Sequence, residues 1–563
     1  MCGFIISTIK KNIVSIKKVL SHRGPDSTGV YQDQYIDIIF NRLAIIDLNS
    51  RSNQPFVNKN LILTYNGEIY NYLEIKKILL KKGHKFFTSS DTEVLMNSYI
   101  GWGEKCLSKF EGMFAFVIYN KDNNSVFAAR DRFGIKPLFF YKSFNKFVIA
   151  SEKKAIFKLG IEKKINKSQL ANYVAHGVYQ HNKETFYEKI DSLEPGHYLK
   201  IDKSFNITRW DNHNFKINKK ISFKDAQFEF KNLFKKSIKL CLRSDKKVSI
   251  ALSGGVDSSA IAYYVKRNQN KKFTNELVHW TCKDEHDESI HAQTIAKLLK
   301  KNLKLSIFTK RNFSNYIKKG LLAVEEPFGG LNNISAMKMF EKLRNKKSRV
   351  ILDGNGADEI LGGYEHHIKH HMQNKMNYFM QPIQGLNINY HPEILQKKYY
   401  ENIKTFKIKR IFNSHLKNSM YNDLCGTKLR RSLYQQDHIA MKNSLEMRFP
   451  FLNNDLVNFC YSLPDSYLVN YNLGKFILRK SFRNEIFNLE KRANQTPQTY
   501  WIKNFIIDKL IKQIKYDDKI NDFKIFDQKK LIEKLNIWKR KDIDNSVFPW
   551  QILMIYNMVK FYF

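Results

Sequence analysis

The sequence predicts an α/β protein built from two units. Three observations lead there. At 563 residues the chain is longer than one hydrophobic core serves, because single cores stop growing near ~250–300 residues. Residues 1–205 carry short apolar runs separated by turns, with helical patterns between them. From residue 222 strand-like runs alternate with helical segments, the pattern of a parallel sheet covered on both faces, and from residue 365 helices dominate.

In the first unit, Cys2–Ile6, Ile36–Phe40, Leu61–Tyr65, Met113–Tyr119, Val126–Ala129 and Phe147–Ala150 read as strands. Tyr72–Lys82 and Thr92–Tyr99 read as helices. The polar, weakly patterned stretch Lys203–Ile221 marks the boundary, so the units are placed at 1–205 and 222–563. In the second unit Val248–Leu252, Leu277–Thr281, Leu303–Phe308 and Val350–Leu352 are the strands.

A formal charge of +42 invites a nucleic-acid or anionic-membrane partner. Its distribution points elsewhere. Basic residues come as scattered doublets such as Lys17-Lys18 and Lys81-Lys82, without the blocks of five or more like charges that mark binding arms. The reading is solvated faces, with no nucleic-acid partner expected. Six cysteines at 2, 106, 241, 282, 425 and 460 form no CxxC pair, which speaks against a zinc or dithiol motif. Val547–Val559 is the longest apolar stretch near the end, and Pro549, Gln551 and Asn557 interrupt it, so no membrane span is expected. Lys10 and Lys11 break any leader-like run, so a cytoplasmic protein is expected.

Cys2 follows the initiator Met, and small second residues permit Met removal. The freed α-amine, with a reference pKa of ~7.7–8.0, can act as base toward the Cys2 thiol. Alone, a second-position Cys is more often a small buried residue. Its surroundings change that: His22-Arg23-Gly24-Pro25-Asp26, Asn41-Arg42-Leu43, Asn66-Gly67-Glu68-Ile69-Tyr70-Asn71 and Ser90-Asp91-Thr92 follow in order. Gly112-Met113-Phe114-Ala115-Phe116 and Arg130-Asp131-Arg132-Phe133-Gly134 come next.

This series closely resembles the glutaminase domain of class II glutamine amidotransferases. The resemblance implies a four-layer αββα N-terminal-nucleophile sandwich with Cys2 as nucleophile. It implies that Arg42 binds the glutamine carboxylate, that Glu68 and Asp91 hold the α-amino group, and that Asn66 with the Gly67 N–H forms the oxyanion hole. Asn-Gly alone favours a tight turn, and a turn and an oxyanion hole need not exclude each other. His22 is assigned no role.

Ser253-Gly254-Gly255-Val256-Asp257-Ser258-Ser259 follows the strand ending at Leu252 and opens a helix, the setting in which backbone N–H groups meet phosphate. It lacks the Gly-Lys-Ser/Thr ending of a Walker A loop. The string resembles the pyrophosphate loop of ATP pyrophosphatases, and Asp353-Gly354-Asn355-Gly356-Ala357-Asp358-Glu359 resembles their second segment. The likeness implies a doubly wound ATP domain that cleaves between the α and β phosphates. Asp257 and Asp358 would hold Mg²⁺, whose preference is carboxylate and phosphate oxygen. Leu252, Ser253, Gly254, Gly255, Ser258, Ser259, Asp353 and Gly354 complete the implied ATP site.

With Ser444–Leu452, Gly474-Lys475 and Leu478-Arg479, the whole chain resembles the glutamine-hydrolysing asparagine synthetase family. That implies aspartate as acceptor, an aspartyl-adenylate, and ammonia moving internally past Met113, with Lys475 stabilising charge on the phosphate. A homodimer is left open. Asn355 stands where the family usually has an acid, and Asp353, Ala357 and Asn453 also depart from its pattern. Two acceptor readings stay open: aspartate with a relocated base such as Asp353, and another carboxylate such as a sugar acid. A nucleic-acid-modifying use of the same loop is the third.

Overall fold

The computed structural model describes residues 2–11, 13–211, 215, 217–218, 220–267, 276–283, 287, 289–344, 348–376, 390–405, 408–482, 496–541 and 545–563. The expected boundary stretch at 203–221 therefore falls partly outside the described residues.

Twelve strands make two antiparallel sheets. They are β1 (Gly3–Ser7), β2 (Ser27–Gln32), β3 (Asp37–Arg42), β4 (Phe56–Asn58), β5 (Leu61–Ile69), β6 (Gly112–Asn120), β7 (Ser125–Arg130), β8 (Phe139–Ser143), β9 (Lys146–Ala150), β10 (Ile190–Ser192), β11 (His197–Ile201) and β12 (Phe205–Arg209). One sheet runs β10-β8-β9-β1-β3-β2 and the other β12-β11-β7-β6-β5-β4. Alternation along β1 sets the layers, since successive side chains leave opposite faces. Phe4 and Ile6 pack between the sheets with Phe40, Ala115 and Val117. Ile5 points the other way, onto Ile16 and Ile156 of the helices Ile13–Val19 and Lys153–Lys158. On the far face, the helices Tyr72–Lys81 and Asp91–Trp102 bring Ile75, Leu79, Val94 and Leu95 onto Tyr65, Phe114 and Phe116. The result is the αββα sandwich.

The second unit holds β13 (Lys247–Ala251), β14 (Glu276–Thr281), β15 (Leu303–Ile307), β16 (Ser348–Leu352) and β17 (Glu446–Arg448). All are parallel, in the order β15-β14-β13-β16-β17. Strand order reverses beside β13, so the loops leaving β13 and β16 open a crevice at the carboxyl ends, where doubly wound sheets bind ligands. Helices make most of the remainder, ending in Val547–Tyr562. Among the described residues no helix is long and apolar enough to cross a membrane.

At two segments the structure departs from the local sequence pattern. Asn66-Gly67 is not a turn: β5 continues to Ile69, and these residues pair with Ala115 and Phe114 of β6. Backbone pairing overrides the local Asn-Gly preference. The Ser444–Leu452 segment contains a strand, β17, that its charged ends conceal.

Candidate active sites

Cys2 leads into β1 and is buried beside β5. Its backbone N–H donates to Asn66 Oδ1 at 3.1 Å, and its carbonyl accepts from Arg23 Nε at 3.0 Å. Burial pushes the Cys2 thiol up, and nearby positive charge pulls it part of the way back. With Oδ1 engaged, Asn66 Nδ2 is buried and has no hydrogen-bond partner among the described residues. A donor left unmet beside a thiol is what an oxyanion hole requires before its ligand arrives. Gly67 is glycine for a steric reason: a Cβ there would lie 2.2 Å from the Met113 carbonyl oxygen.

The other expected glutamine-site residues gather nearby. Asp91 Oδ2 accepts from Tyr65 Oη at 2.8 Å and from the Ile69 N–H at 3.0 Å, so it is oriented from β5. Glu68 is buried, and burial together with Asp91 and Glu446 holds its carboxyl well above the usual range. Arg42 is committed to protein partners: Nη1 donates to Asn49 O at 2.9 Å and Asn53 Oδ1 at 2.8 Å, and Nη2 donates to Asp47 O. It shapes the 46–53 loop.

The second site is a cleft of about 610 Å³ at the switch point of the parallel sheet. Leu252, Ser253, Asp257, Ser258, Asp353, Gly354 and Asp358 line it. Gly254, Gly255 and Ser259 are not among its lining residues, Gly255 being exposed and the other two buried. Gly254 adopts φ 84°, and a Cβ there would meet the Ala292 backbone nitrogen at 2.7 Å, so helix packing as well as loop shape requires glycine. The loop is tied by Ser253: its N–H donates to Ser258 Oγ at 3.1 Å, and its Oγ accepts from the Gly255 N–H at 3.2 Å.

Lys475, also in a left-handed conformation, reaches across to the loop. Its Nζ lies 2.5 Å from Asp257 Oδ2 and 2.9 Å from Asp358 Oδ1. Burial opposes the ammonium, yet the two carboxylates outweigh it and hold Lys475 above the ordinary lysine range. Two carboxylates converging on one cation are oxygen donors of the kind Mg²⁺ takes together with phosphates. Burial pushes Asp353 up to about 6.

Sequence reasoning missed the opposite wall. Asn332, Asn333, Arg431, Ser432, Gln435 and Gln436 face the phosphate loop across the cleft, brought there by helices distant in sequence. Asn355 Oδ1 accepts from Ser432 Oγ at 3.3 Å. Beyond the cleft lining, His366 and His367 both contact Asp423 Oδ2, at 2.6 and 2.9 Å. The Tyr364 N–H faces His367 Nδ1 at 3.5 Å, which favours the proton on Nε2 and makes His367 a donor to Asp423 rather than a metal ligand.

The two sites share a buried polar seam. Arg23 pairs with Glu152 and with Asp437, each at 2.8 Å, and Lys136 reaches Asp437 at 3.3 Å. His22 contacts Glu152 at its edge. Met113 belongs to an apolar cluster that runs without a break from Leu43 and Ile45 into Val248 and Ile250 of the parallel sheet.

A buried cysteine whose backbone N–H is held by an asparagine at the head of an αββα sandwich, joined to a phosphate-loop sheet, defines a glutamine amidotransferase coupled to a second catalytic unit. The glutamine amidotransferase domain matches residues 1–211, and asparagine synthase matches residues 229–560. The chain belongs to the asparagine synthase family. Asparagine synthetase [glutamine-hydrolyzing] 1 of Bacillus subtilis (strain 168) is 28% identical over 90% of this chain and 88% of its own. Asparagine synthetase [glutamine-hydrolyzing] 2 of the same organism is 30% identical over 85% of this chain and 68% of its own. Amidase chry2 of Gibberella zeae is 25% identical over 86% of this chain and 85% of its own.

Proposed function

We propose that the protein makes asparagine from aspartate, ATP and the amide nitrogen of glutamine, with residues 1–205 as glutaminase and 222–563 as synthetase. The observation that carries this reading is Lys475 between Asp257 and Asp358 at the switch point, in a chain whose other unit holds Cys2 against Asn66.

In the first unit the Cys2 thiolate attacks the glutamine amide carbon, and the oxyanion falls between Asn66 Nδ2 and the Gly67 N–H. Glu68 and Asp91 receive the α-ammonium, while Arg42 serves the carboxylate with what its loop leaves free. Ammonia leaves along the apolar side of Met113. In the second unit the acceptor carboxylate oxygen attacks the α-phosphorus of ATP, the bond to pyrophosphate breaks, and Lys475 neutralises the charge that gathers there. Asp257 and Asp358 would hold Mg²⁺, which supplies neutralisation of the phosphate oxygens when bound. Ammonia then forms the C–N bond, AMP leaves, and Asp353 takes the surplus proton in place of the acid that Asn355 lacks.

A second reading keeps the chemistry and changes the acceptor to a hydroxyl-rich acid such as a sugar acid. The amide-rich wall of Asn332, Asn333, Asn355, Gln435 and Gln436 favours it, since amides both donate to and accept from hydroxyls. The test is pyrophosphate release with glutamine, ATP and Mg²⁺ against a panel of acids. Release with aspartate supports asparagine synthesis; release only with another acid transfers the protein to the second reading.

A further inference from the structure

Between the two sites stands one residue whose main chain meets one and whose side chain approaches the other. Arg448 ends β17 and is fully buried. Its backbone carbonyl accepts from the Asp353 N–H at 3.0 Å, and Leu352 is its partner in β16, so its main chain sets the segment that enters the cleft. Its side chain runs the other way. Nε donates to Glu446, and Nη1 donates to Cys241 O at 2.9 Å and Arg243 O at 2.6 Å. Nη2 stops 3.6 Å from Glu68 Oε1, outside hydrogen-bond range.

That gap is the informative feature. Arg448 Nη2, Glu68 Oε2 and Tyr70 Oη are all buried with no hydrogen-bond partner among the described residues, and the guanidinium lies 5.4 Å from the Tyr70 ring centre. Buried groups of this kind are normally satisfied, so three in one place mark a site that reorganises when its ligand arrives. Burial, with Asp91 and Glu446 close by, holds the Glu68 carboxyl well above its usual range. An α-ammonium beside it would favour its charged form and draw Nη2 across the 3.6 Å gap into a charge-assisted hydrogen bond.

We propose that Arg448 is the positioning residue that couples glutamine occupancy at Glu68 to the placement of Asp353 and Gly354 in the nucleotide cleft. The inference rests on the reading of Glu68 as part of the glutamine site. Coupling of this kind is reciprocal: glutamine changes nucleotide affinity by the same factor as nucleotide changes glutamine affinity.

The experiment measures glutamine binding with and without Mg·ATP, and Mg·ATP binding with and without glutamine, in protein carrying Cys2→Ala so that no turnover occurs. The comparison adds Arg448→Lys, with Glu446→Gln as a second variant that releases Nε while keeping the arginine. The expected result is a mutual change of at least ~5-fold in the parent, falling below ~2-fold in either variant, with each ligand still binding alone. Equal coupling in parent and variants overturns the inference, as does a parent that binds both ligands independently. Failure of the parent to bind glutamine at all overturns the functional reading as well, which separates the two outcomes.

Discussion

Lys475→Met is the substitution whose consequence follows most directly from geometry. The lysine Nζ is within 3 Å of both Asp257 and Asp358, which are partly exposed on the cleft wall. The two oxygens are separated by at most about 5.4 Å, the two contacts end to end, so without the ammonium they repel by about 3 kcal/mol at an effective dielectric of ~20. At about 1.4 kcal/mol per unit, that raises the apparent pKa of the carboxylate pair by about two units. A divalent cation relieves this strain. In the parent it must compete with Lys475; in the variant it does not. Thermal unfolding in chelator and then in Mg²⁺ reads the difference. The variant should unfold earlier in chelator and gain more from Mg²⁺ than the parent, while pyrophosphate release falls by ~100-fold or more. An equal Mg²⁺ gain in both proteins would refute the view that Lys475 and the cation serve the same pair of carboxylates.

Other outcomes follow from single contacts. Asn66→Ala should lower glutaminase kcat by ~10²–10³, with little change in glutamine KM, as read by glutamate release. Gly67→Ala forces a methyl against the Met113 carbonyl, so β5 and β6 must part; a loss of about 1–3 kcal/mol in a denaturant titration is expected. Burial pulls the fully buried His367 and His438 down to about 3, so between that value and ~6.5 the unfolded chain binds more protons than the folded one. Stability is therefore complete above ~6.5 and falls on acidification, by about 2 kcal/mol for each histidine near pH ~5. His438→Gln should flatten the dependence of unfolding midpoint on pH; an unchanged slope would count against it.

The chain's apolar runs made its central strands legible. Leu61, Val126 and Phe147 lie in β5, β7 and β9, and the helix from Tyr72 ends at Lys81, one residue from its expected end. The misses have physical causes. At β5 a local Asn-Gly preference lost to pairing with β6 across nine residues. In β17, Glu446 and Arg448 are buried against each other, so its charges hid a core strand. The glutamine and phosphate motifs are contiguous in sequence and could be read there. Arg431, Gln435 and the Arg23–Asp437 pair depend on contacts hundreds of residues apart, such as |i−j| of 414 for that pair, which no local pattern carries.

The central claim is that two separable chemistries share one chain, with Cys2 generating ammonia and the cleft consuming it. Synthesis by Cys2→Ala protein, measured in parallel with glutamine and with an ammonium salt, tests this most directly. The expected result is loss of the glutamine-dependent reaction with the ammonium-dependent reaction retained. Loss of both, or persistence of the glutamine-dependent reaction, would contradict it.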